Sequence, residues 1–181
     1  MRHGCLIAHP TATLPGVAAS PLHRQAMQDM ARFKQRPGPF LLLADTLRTA
    51  WRLAIYIPVP LRREMQQSWP GTTTFVLPAR SAKKTGLAAN FHVKRCIAIR
   101  VDADAECRFL AAQVGGLLAS SSLNRKGQQV QTPERRLRMR MHRHFSAVIA
   151  GKSGTGHASQ ILRWQGNRLH VLRPSHVDNT E

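Results

Sequence analysis

The stretch Leu117–Gly127, LLASSSLNRKG, couples a short apolar run to three serines, an asparagine and two cationic side chains. An apolar run that ends abruptly in polar residues predicts a buried strand that leads into a polar pocket, because open α/β sheets bind ligands at the carboxyl ends of their strands. Hydroxyl and amide groups can donate to a phosphate or a carboxylate, and Arg125 and Lys126 add positive charge. An ordinary serine-rich turn followed by a solvated basic pair is the other interpretation of this stretch.

The chain as a whole is strongly basic. It has 181 residues, of which 27 are Lys or Arg and 9 are Asp or Glu, so its formal net charge is +18. A field of this sign favours anionic partners such as nucleotides, RNA or an acidic membrane surface. With 43% hydrophobic residues, the length suits one domain over residues 1–181 with a substantial core.

The cysteines and the amino terminus bear on the cellular compartment. The 3 cysteines, Cys5, Cys96 and Cys107, are odd in number and two lie in apolar runs, which argues against a disulfide framework and for a reducing compartment. The apolar segment before Pro10 is shorter than that of a signal peptide, and no later run is as long as a membrane span. We therefore expect a cytoplasmic protein without a membrane partner.

Apolar runs alternate with helical patterns along the chain. Ser20-Pro21 and Asp45 are typical helix starts, and Trp69-Pro70-Gly71 is a strong break. Strands are predicted over residues 5–8, 39–44, 73–77, 96–101, from 117 onward, 145–150, 159–164 and 168–172. Helices are predicted from 21 to about 34, after 45, and over 60–67, 103–114 and 133–144. This alternation predicts an α/β fold, a single domain with a twisted mixed open sheet flanked by helices.

Several motifs that suggest other chemistry lack a residue or a spacing that this chemistry requires. The segment GKSGTG at 151–156 looks like a phosphate loop, but Ser146 occupies the place of the first glycine and no helical pattern follows. His142 and His144 have no zinc spacing with the cysteines. Carboxylates are scarce, and no Ser-His-Asp arrangement is evident. We therefore predict no metal site, and chemistry that depends on positioning and positive charge.

Short motifs along the chain follow the landmarks of a known family in the family's own order. They are Ala8-His9-Pro10-Thr11-Ala12-Thr13 for Pro-Thr-Glu-Thr, Lys34-Gln35-Arg36-Pro37 for Lys-x-Arg-Pro, Ser68-Trp69-Pro70-Gly71 followed by Thr74-Phe75-Val76-Leu77, Ala98-Ile99-Arg100-Val101, Ser120-Ser121-Ser122-Leu123-Asn124 for Ser-x-Ser-x-Asn, Ala158-Ser159-Gln160-Ile161 for Pro-Ser-x-Ile, and Leu172-Arg173-Pro174. Each is weak alone, and their joint order is specific. From Cys5 to Pro174 the chain resembles the YrdC/YciO/Sua family, which implies a YrdC-like fold.

The resemblance implies a reaction. In this family L-threonine and bicarbonate form an N-carboxylated amino acid, which attacks the α-phosphate of ATP and releases pyrophosphate, usually with Mg²⁺. The product, L-threonylcarbamoyl-AMP, serves the N6-threonylcarbamoyladenosine modification of tRNA, which implies other tRNA-modification proteins as partners. Every reactant is anionic or carries a carboxylate, so the site must collect negative charge and align the reacting atoms.

The resemblance also implies roles for individual residues. Lys34 and Arg36 would be catalytic. ATP would be bound by Arg36, Ser122, Asn124, Thr132 and Arg173, and threonine by Thr13, Arg100, Ser122 and Ser159. The residue types leave other interpretations open, since Thr13 and Thr132 suit turns or helix caps and Arg100 suits a surface or ion-paired position.

The chain departs from the family pattern at several positions. These are Ala12 for Glu, Pro15 for an aromatic residue, Ala18 for Gly, Leu123 for Ala, Ala158 for Pro, and a loop after Pro37 that is about two residues shorter by alignment. The alternative hypothesis is therefore a diverged, weakly active or inactive paralogue that binds double-stranded RNA or tRNA through its basic surface. The arginine cluster at 135–143 favours that hypothesis, although a solvated helix face would explain it equally well.

Overall fold

The chain folds around one large β-sheet in a computed structural model that describes residues 5–88, 91–141, 143–152 and 154–175. His142, Ser153 and the first four residues, which entered the sequence analysis, lie outside these residues. The described part contains nine strands: β1 (Leu6–His9), β2 (Gly16–Ala19), β3 (Leu41–Ala44), β4 (Thr73–Pro78), β5 (Cys96–Val101), β6 (Leu117–Ser122), β7 (Phe145–Val148), β8 (Gln160–Gln165) and β9 (Arg168–Arg173).

Helices lie between most of these strands. Those in the described ranges are α1 (Arg24–Lys34), α2 (Leu47–Leu53), α3 (Val59–Ser68), α4 (Ala82–Thr85), α5 (Ala105–Gln113) and α6 (Arg135–Arg140). In this part of the chain no helix is both long and apolar enough to cross a bilayer.

The strands form a single sheet in the order β7-β1-β2-β6-β3-β5-β4-β8-β9. The β3–β5, β4–β8 and β1–β7 pairs are parallel, and the other neighbours are antiparallel. The sheet is therefore mixed and open, which confirms the predicted α/β class. This strand order brings the first turn, the end of β6 and the end of β5 to one region, although they are about a hundred residues apart in sequence.

One face of the sheet is closed by a large apolar core. Successive strand residues point to opposite faces, so alternate positions of each strand belong to it. Phe75 of β4, Ile99 of β5 and Leu42 of β3 pack there with Phe33 of α1 and Leu61 of α3. Burial of large side chains such as these is the main stabilising contribution, at about 1.5–3 kcal/mol for each.

The opposite face is only partly covered. Ile7, Leu43 and Leu118 pack with Cys107 and Ala111 of α5 in a second, smaller apolar cluster. Farther along the same face the alternate positions become small or polar, namely Gly16 of β2, Ala98 and Arg100 of β5, Thr74 of β4, and Ser120 and Ser122 of β6. Beyond the end of α5, the side chains on this face of the central strands thus change from apolar to small or polar. The space above them is a cavity.

Local structure differs from the sequence-based expectations at several places, of which three bear on the first turn and on the helix starts. β2 was not among the predicted strands, because GVAA has no strand-favouring alternation, but it pairs with β1 and β6 in the interior of the sheet. α1 is capped by His23 rather than by Ser20, and the preceding Leu22 is 59% exposed. α2 is capped by Thr46 Oγ1, which accepts from Thr49 N at 3.2 Å, rather than by Asp45.

Candidate active site

A cavity of about 290 Å³ occupies the uncovered part of the sheet. It is lined by Thr11, Thr13, Leu14, Gly16, Arg36, Pro39, Phe40, Leu41, Thr74, Ala98, Arg100, Ser120, Ser121, Ser122, Ala158, Ser159, Ile161 and Arg173. We call the part formed by Thr13, Thr74, Arg100 and Ser159 the buried end, since these four side chains are buried. The part formed by Arg36, Ser121 and Ser122, which are half-buried, is the open end.

Arg100 is the central cation of the buried end. Its side chain is 2% exposed, and its Nη2 lies 2.5 Å from Asp102 Oδ2. Its Nη1 donates to Thr13 Oγ1 at 3.0 Å, and its Nε has no partner among the described residues. Burial lowers the pKa of Arg100, and the charge of Asp102 opposes that shift. Because Nη1 and Nη2 are bonded within the protein and Nε is not, Nε can donate to an anionic group.

Ser159 joins the buried end to the carboxyl end of β9. Its hydroxyl lies 2.9 Å from Thr74 Oγ1 and accepts from Arg173 Nη2 at 3.0 Å. Arg173 Nε also donates to the Ser159 carbonyl at 2.7 Å. Burial lowers the pKa of Arg173, and the charge of Arg100 lowers it further. Arg173 is therefore fixed at the rim of the cavity, with its charge close to that of Arg100.

Arg36 supplies the cation of the open end. It follows α1, where Gln35 adopts a left-handed conformation with φ 54° and turns the chain toward the sheet. Arg36 Nη1 donates to the Pro39 carbonyl at 2.7 Å, its Nη2 donates to Ser121 Oγ at 3.3 Å, and its guanidinium lies 5.2 Å from the centre of the Phe40 ring. These contacts hold the charge beside the serines that end β6.

Lys34, which the resemblance made catalytic, lies behind the cavity wall. Its ammonium donates to the Ser122 carbonyl at 2.6 Å, to Asn124 Oδ1 at 2.8 Å and to the Asn124 carbonyl. Burial, together with the charge of Arg36, lowers the pKa of Lys34 to about 8. In this arrangement the amine holds the end of β6 in place.

Asn124 is engaged in the same internal network. Its Oδ1 accepts from Ser122 Oγ at 2.6 Å, and its Nδ2 donates to the Gln128 carbonyl at 2.6 Å. Thr132 is exposed and does not line the cavity. Of the predicted site residues, Thr13, Arg36, Arg100, Ser122, Ser159 and Arg173 line one cavity, whereas Lys34, Asn124 and Thr132 do not.

Sequence reasoning missed three side chains of the site. Thr11 and Thr74 line the cavity, and Asp102 neutralises Arg100. Thr11 lies inside a motif that was recognised, so its hydroxyl could have been included. Thr74 also lies in a recognised motif, Thr74-Phe75-Val76-Leu77, whereas Asp102 lies in none and its backbone partner Ala12 is 90 residues away in sequence.

Gly154 and Thr155, from the segment that looks like a phosphate loop, cover the first turn. Gly154 N donates to the Thr11 carbonyl at 2.9 Å, and Thr155 N donates to the Ala12 carbonyl at 3.1 Å. A Cβ at Gly154 would lie 2.3 Å from the Ala12 carbonyl oxygen, so only glycine permits this approach. These two residues therefore support the wall that carries Thr13.

The charges of the cavity suit ligands with several negative groups. Arg36, Arg100 and Arg173 line it, and no carboxylate is among its lining residues. Within the described ranges no group of three His, Cys, Asp or Glu residues could hold a metal ion. Hydroxyls and guanidiniums are not a donor set for resident Mg²⁺, which needs carboxylate or phosphate oxygens.

Comparison with known proteins agrees with this arrangement. A family model for Sua5, YciO and YrdC proteins, described as telomere recombination, matches residues 1–175. A threonylcarbamoyl-AMP synthase of Stenotrophomonas maltophilia is 30% identical over 158 residues, which are 85% of this chain and 83% of that protein. One of Chromobacterium violaceum is 32% identical over 141 residues, which are 77% of this chain and 72% of that protein.

Solved structures share the fold. Escherichia coli YciO superposes with a TM-score of 0.80 at 20% identity, covering 95% of this chain and 84% of YciO. The Sua5 protein of P. abyssi in complex with L-threonine superposes with a TM-score of 0.83 at 24% identity and covers 96% of this chain. This chain spans only 51% of that Sua5 chain. Matched over nearly its whole length, with the family's serine and arginine motifs meeting in one cavity, the chain belongs to the Sua5/YciO/YrdC family.

Proposed function

We propose that this protein is an L-threonylcarbamoyladenylate synthase, a nucleotidyltransferase. It forms threonylcarbamoyl-AMP from L-threonine, bicarbonate and ATP, releases pyrophosphate, and serves the modification of tRNA in the cytoplasm as one domain over residues 1–181. The observation that carries this proposal is the meeting of Arg36, Arg100 and Arg173 with Ser122 and Ser159 in one cavity. The family membership and the names of the relatives support the same reaction.

The buried end suits the amino acid. The unpartnered Nε of Arg100 can donate to the threonine carboxylate, and the hydroxyls of Thr13 and Ser159 lie beside it. A carboxylate gains most from a donor that is already oriented and shielded from water. The buried end therefore binds threonine by its carboxylate and leaves the amine directed toward the open end.

The open end suits the phosphates of ATP. Arg36 offers a planar fork that matches phosphate oxygens, and Ser121 and Ser122 add hydroxyl donors at the end of β6. Arg173 at the rim would close over the nucleotide. Lys34 and Asn124 would contact ATP only after exchanging their bonds to one another, and otherwise they shape the loop around it. Mg²⁺ would enter as the ion bound by the ATP phosphates.

The reaction needs alignment more than acid–base chemistry. Threonine and bicarbonate lose water and form the N-carboxylate, one oxygen of which attacks the α-phosphorus. The bond from that phosphorus to the bridging oxygen breaks, and pyrophosphate leaves with the electron pair. Negative charge spreads over phosphate oxygens during this step, and the preorganised guanidiniums of Arg36 and Arg173 stabilise it.

The test is pyrophosphate release from ATP that requires both threonine and bicarbonate, with the adenylate product identified by mass spectrometry. We expect release with all three substrates and only background when either threonine or bicarbonate is omitted. Arg36→Ala should abolish release, whereas Arg168→Ala, which removes an exposed arginine of β9, should not. A folded protein that binds none of the substrates would contradict the proposal.

RNA binding is the second candidate, and one feature favours it. Arg125 and Arg140 line a depression of about 260 Å³ together with Gln128, Gln131 and Met141, in a chain of net charge +18. Binding through such cations releases counterions, so affinity for a double-stranded RNA should fall steeply with added salt. The double variant Arg125→Gln, Arg140→Gln should reduce that salt dependence. An affinity that does not change with salt would contradict this candidate.

Other tRNA-modification proteins remain proposed partners.

A further inference from the structure

Asp102 is the most completely buried carboxylate near the cavity, with an exposure of 0%. Its Oδ2 lies 2.5 Å from Arg100 Nη2. Its Oδ1 accepts from two backbone groups, Ala12 N at 2.9 Å and Asp104 N at 3.0 Å. A single side chain therefore joins β5, the first turn and the start of α5.

The two oxygens of Asp102 act on two residues of the buried end. One oxygen fixes the guanidinium of Arg100, and the other fixes the turn that carries Thr13. Arg100 in turn donates to Thr13 Oγ1 at 3.0 Å, so the three groups form a closed network. The family resemblance expects a carboxylate at position 12, and here Ala12 offers only its backbone N–H to the carboxylate of Asp102.

We infer that Asp102 is a positioning residue, which orients Arg100 so that its remaining donor faces an incoming amino-acid carboxylate. This inference rests on the proposed function. Arg100 has five N–H donors in a rigid plane, so fixing Nη2 on Asp102 and Nη1 on Thr13 also fixes the direction of Nε. Asp102 does not line the cavity, so it acts through Arg100.

A purely structural role is the competing explanation. Asp102 also stabilises the start of α5, because Asp104 N is one of its donors and Arg108 Nη1 donates to its carbonyl at 2.6 Å. Loss of the carboxylate would then weaken the fold without changing the threonine site of the molecules that remain folded. Affinity for threonine, compared with affinity for ATP, separates the two explanations.

The decisive variant is Asp102→Asn, which keeps the size of the side chain and one acceptor oxygen while removing the charge. Threonine affinity is measured by calorimetry on the folded protein, and the KM values for threonine and ATP are measured by pyrophosphate release. We expect the threonine dissociation constant to rise about tenfold or more, because a misplaced binding group costs up to about a hundredfold. The KM for ATP should stay within about twofold.

The matched control is Asp104→Asn. Asp104 Oδ1 caps α5 by accepting from Cys107 N at 2.8 Å, and asparagine keeps this acceptor, so the variant removes one negative charge from the same region without removing the partner of Arg100. Its threonine affinity should match that of the wild type. Equal threonine affinities for Asp102→Asn and wild type, or an equal loss in Asp104→Asn, would overturn the inference. A wild type that binds threonine without releasing pyrophosphate would instead overturn the proposed function, and the comparison of affinities would still decide the role of Asp102.

Discussion

The two ends of the cavity are built differently. At the buried end, Arg100 and Thr74 are strand residues whose polar groups are already bonded to Asp102, Thr13 and Ser159. At the open end, Arg36 follows a helix and bonds to a loop carbonyl, that of Pro39. The geometry of the buried end is therefore fixed by the sheet, whereas the geometry of the open end depends on the conformation of the connecting segments.

This difference indicates how one site can hold two unlike substrates. A rigid pocket binds a small amino acid tightly, because little entropy is lost in ordering the pocket. A triphosphate is larger and needs hydrogen-bond donors that can adjust their positions. The same difference distinguishes Lys34 from Arg36, although both belong to one motif. Arg36 faces the cavity, whereas Lys34 is bonded to the chain itself. Substitutions at the two ends should consequently differ in their balance between stability and activity.

Removal of the Arg100 guanidinium should break the buried end most severely. Arg100→Met leaves Asp102 buried without its counterion, and losing one partner of a buried ion pair costs about 3–5 kcal/mol of unfolding free energy. Urea unfolding followed by circular dichroism measures this loss, and pyrophosphate release should disappear with it. Arg168→Met, at an exposed position of β9, is the control and should change the stability by less than about 0.5 kcal/mol. Equal stabilities of the two variants would show that the pair does not support the buried end.

Acid should weaken the region behind the buried end. Burial lowers the pKa of His9 to about 4, and this effect exceeds those of Asp102 and Asp104, which raise it. In the unfolded chain His9 is protonated near pH 6.5, whereas in the folded chain it is protonated only near pH 4. Stability is therefore lost as the pH falls from 6.5 to 4. The loss is about 3 kcal/mol in unfolding free energy.

The variant that tests this pH dependence is His9→Phe. Urea unfolding at a series of pH values should give a shallower decline between pH 6.5 and 4 than the wild type shows. His170→Gln, on the exposed strand β9, should leave the decline unchanged. Parallel curves for His9→Phe and the wild type would show that His9 does not govern the acid sensitivity.

The sequence predicted one part of this site better than the other. The strands of Ile99 and Leu118 follow from apolar runs, and Arg100 and Ser122 were identified from short motifs within or at the ends of these strands. The pairing of Arg100 with Asp102 was overlooked, although residues two positions apart in a strand share a face. The bond from Ala12 N to Asp102, across 90 residues of sequence, had no local signal. The same limit applies to Lys34, whose motif indicates a cation but not the oxygens it contacts.

Lys34 and Arg36 allow a sharper comparison within the open end. Lys34→Met leaves the Asn124 carbonyl without its donor and removes one of the two donors to the Ser122 carbonyl and to Asn124 Oδ1. An unsatisfied buried group costs about 1–3 kcal/mol. Arg36→Met removes a half-buried side chain and should cost less than about 1 kcal/mol. Thermal unfolding measures both variants. Pyrophosphate release should be lost in both, and a Lys34→Met protein as stable as the wild type would mean that Lys34 does not support the loop.

The smallest expected effect lies at the rim, where Arg173 connects the two ends. Arg173→Lys keeps the positive charge, but one ammonium cannot reproduce both bonds that Nε and Nη2 make to the Ser159 carbonyl and hydroxyl. Loss of one net hydrogen bond predicts a rise of about threefold to tenfold in the KM for ATP. The KM for threonine should rise less, because Ser159 keeps its contact with Thr74. Steady-state kinetics with each substrate varied in turn checks this order, and a larger rise for threonine than for ATP would assign Arg173 to the buried end.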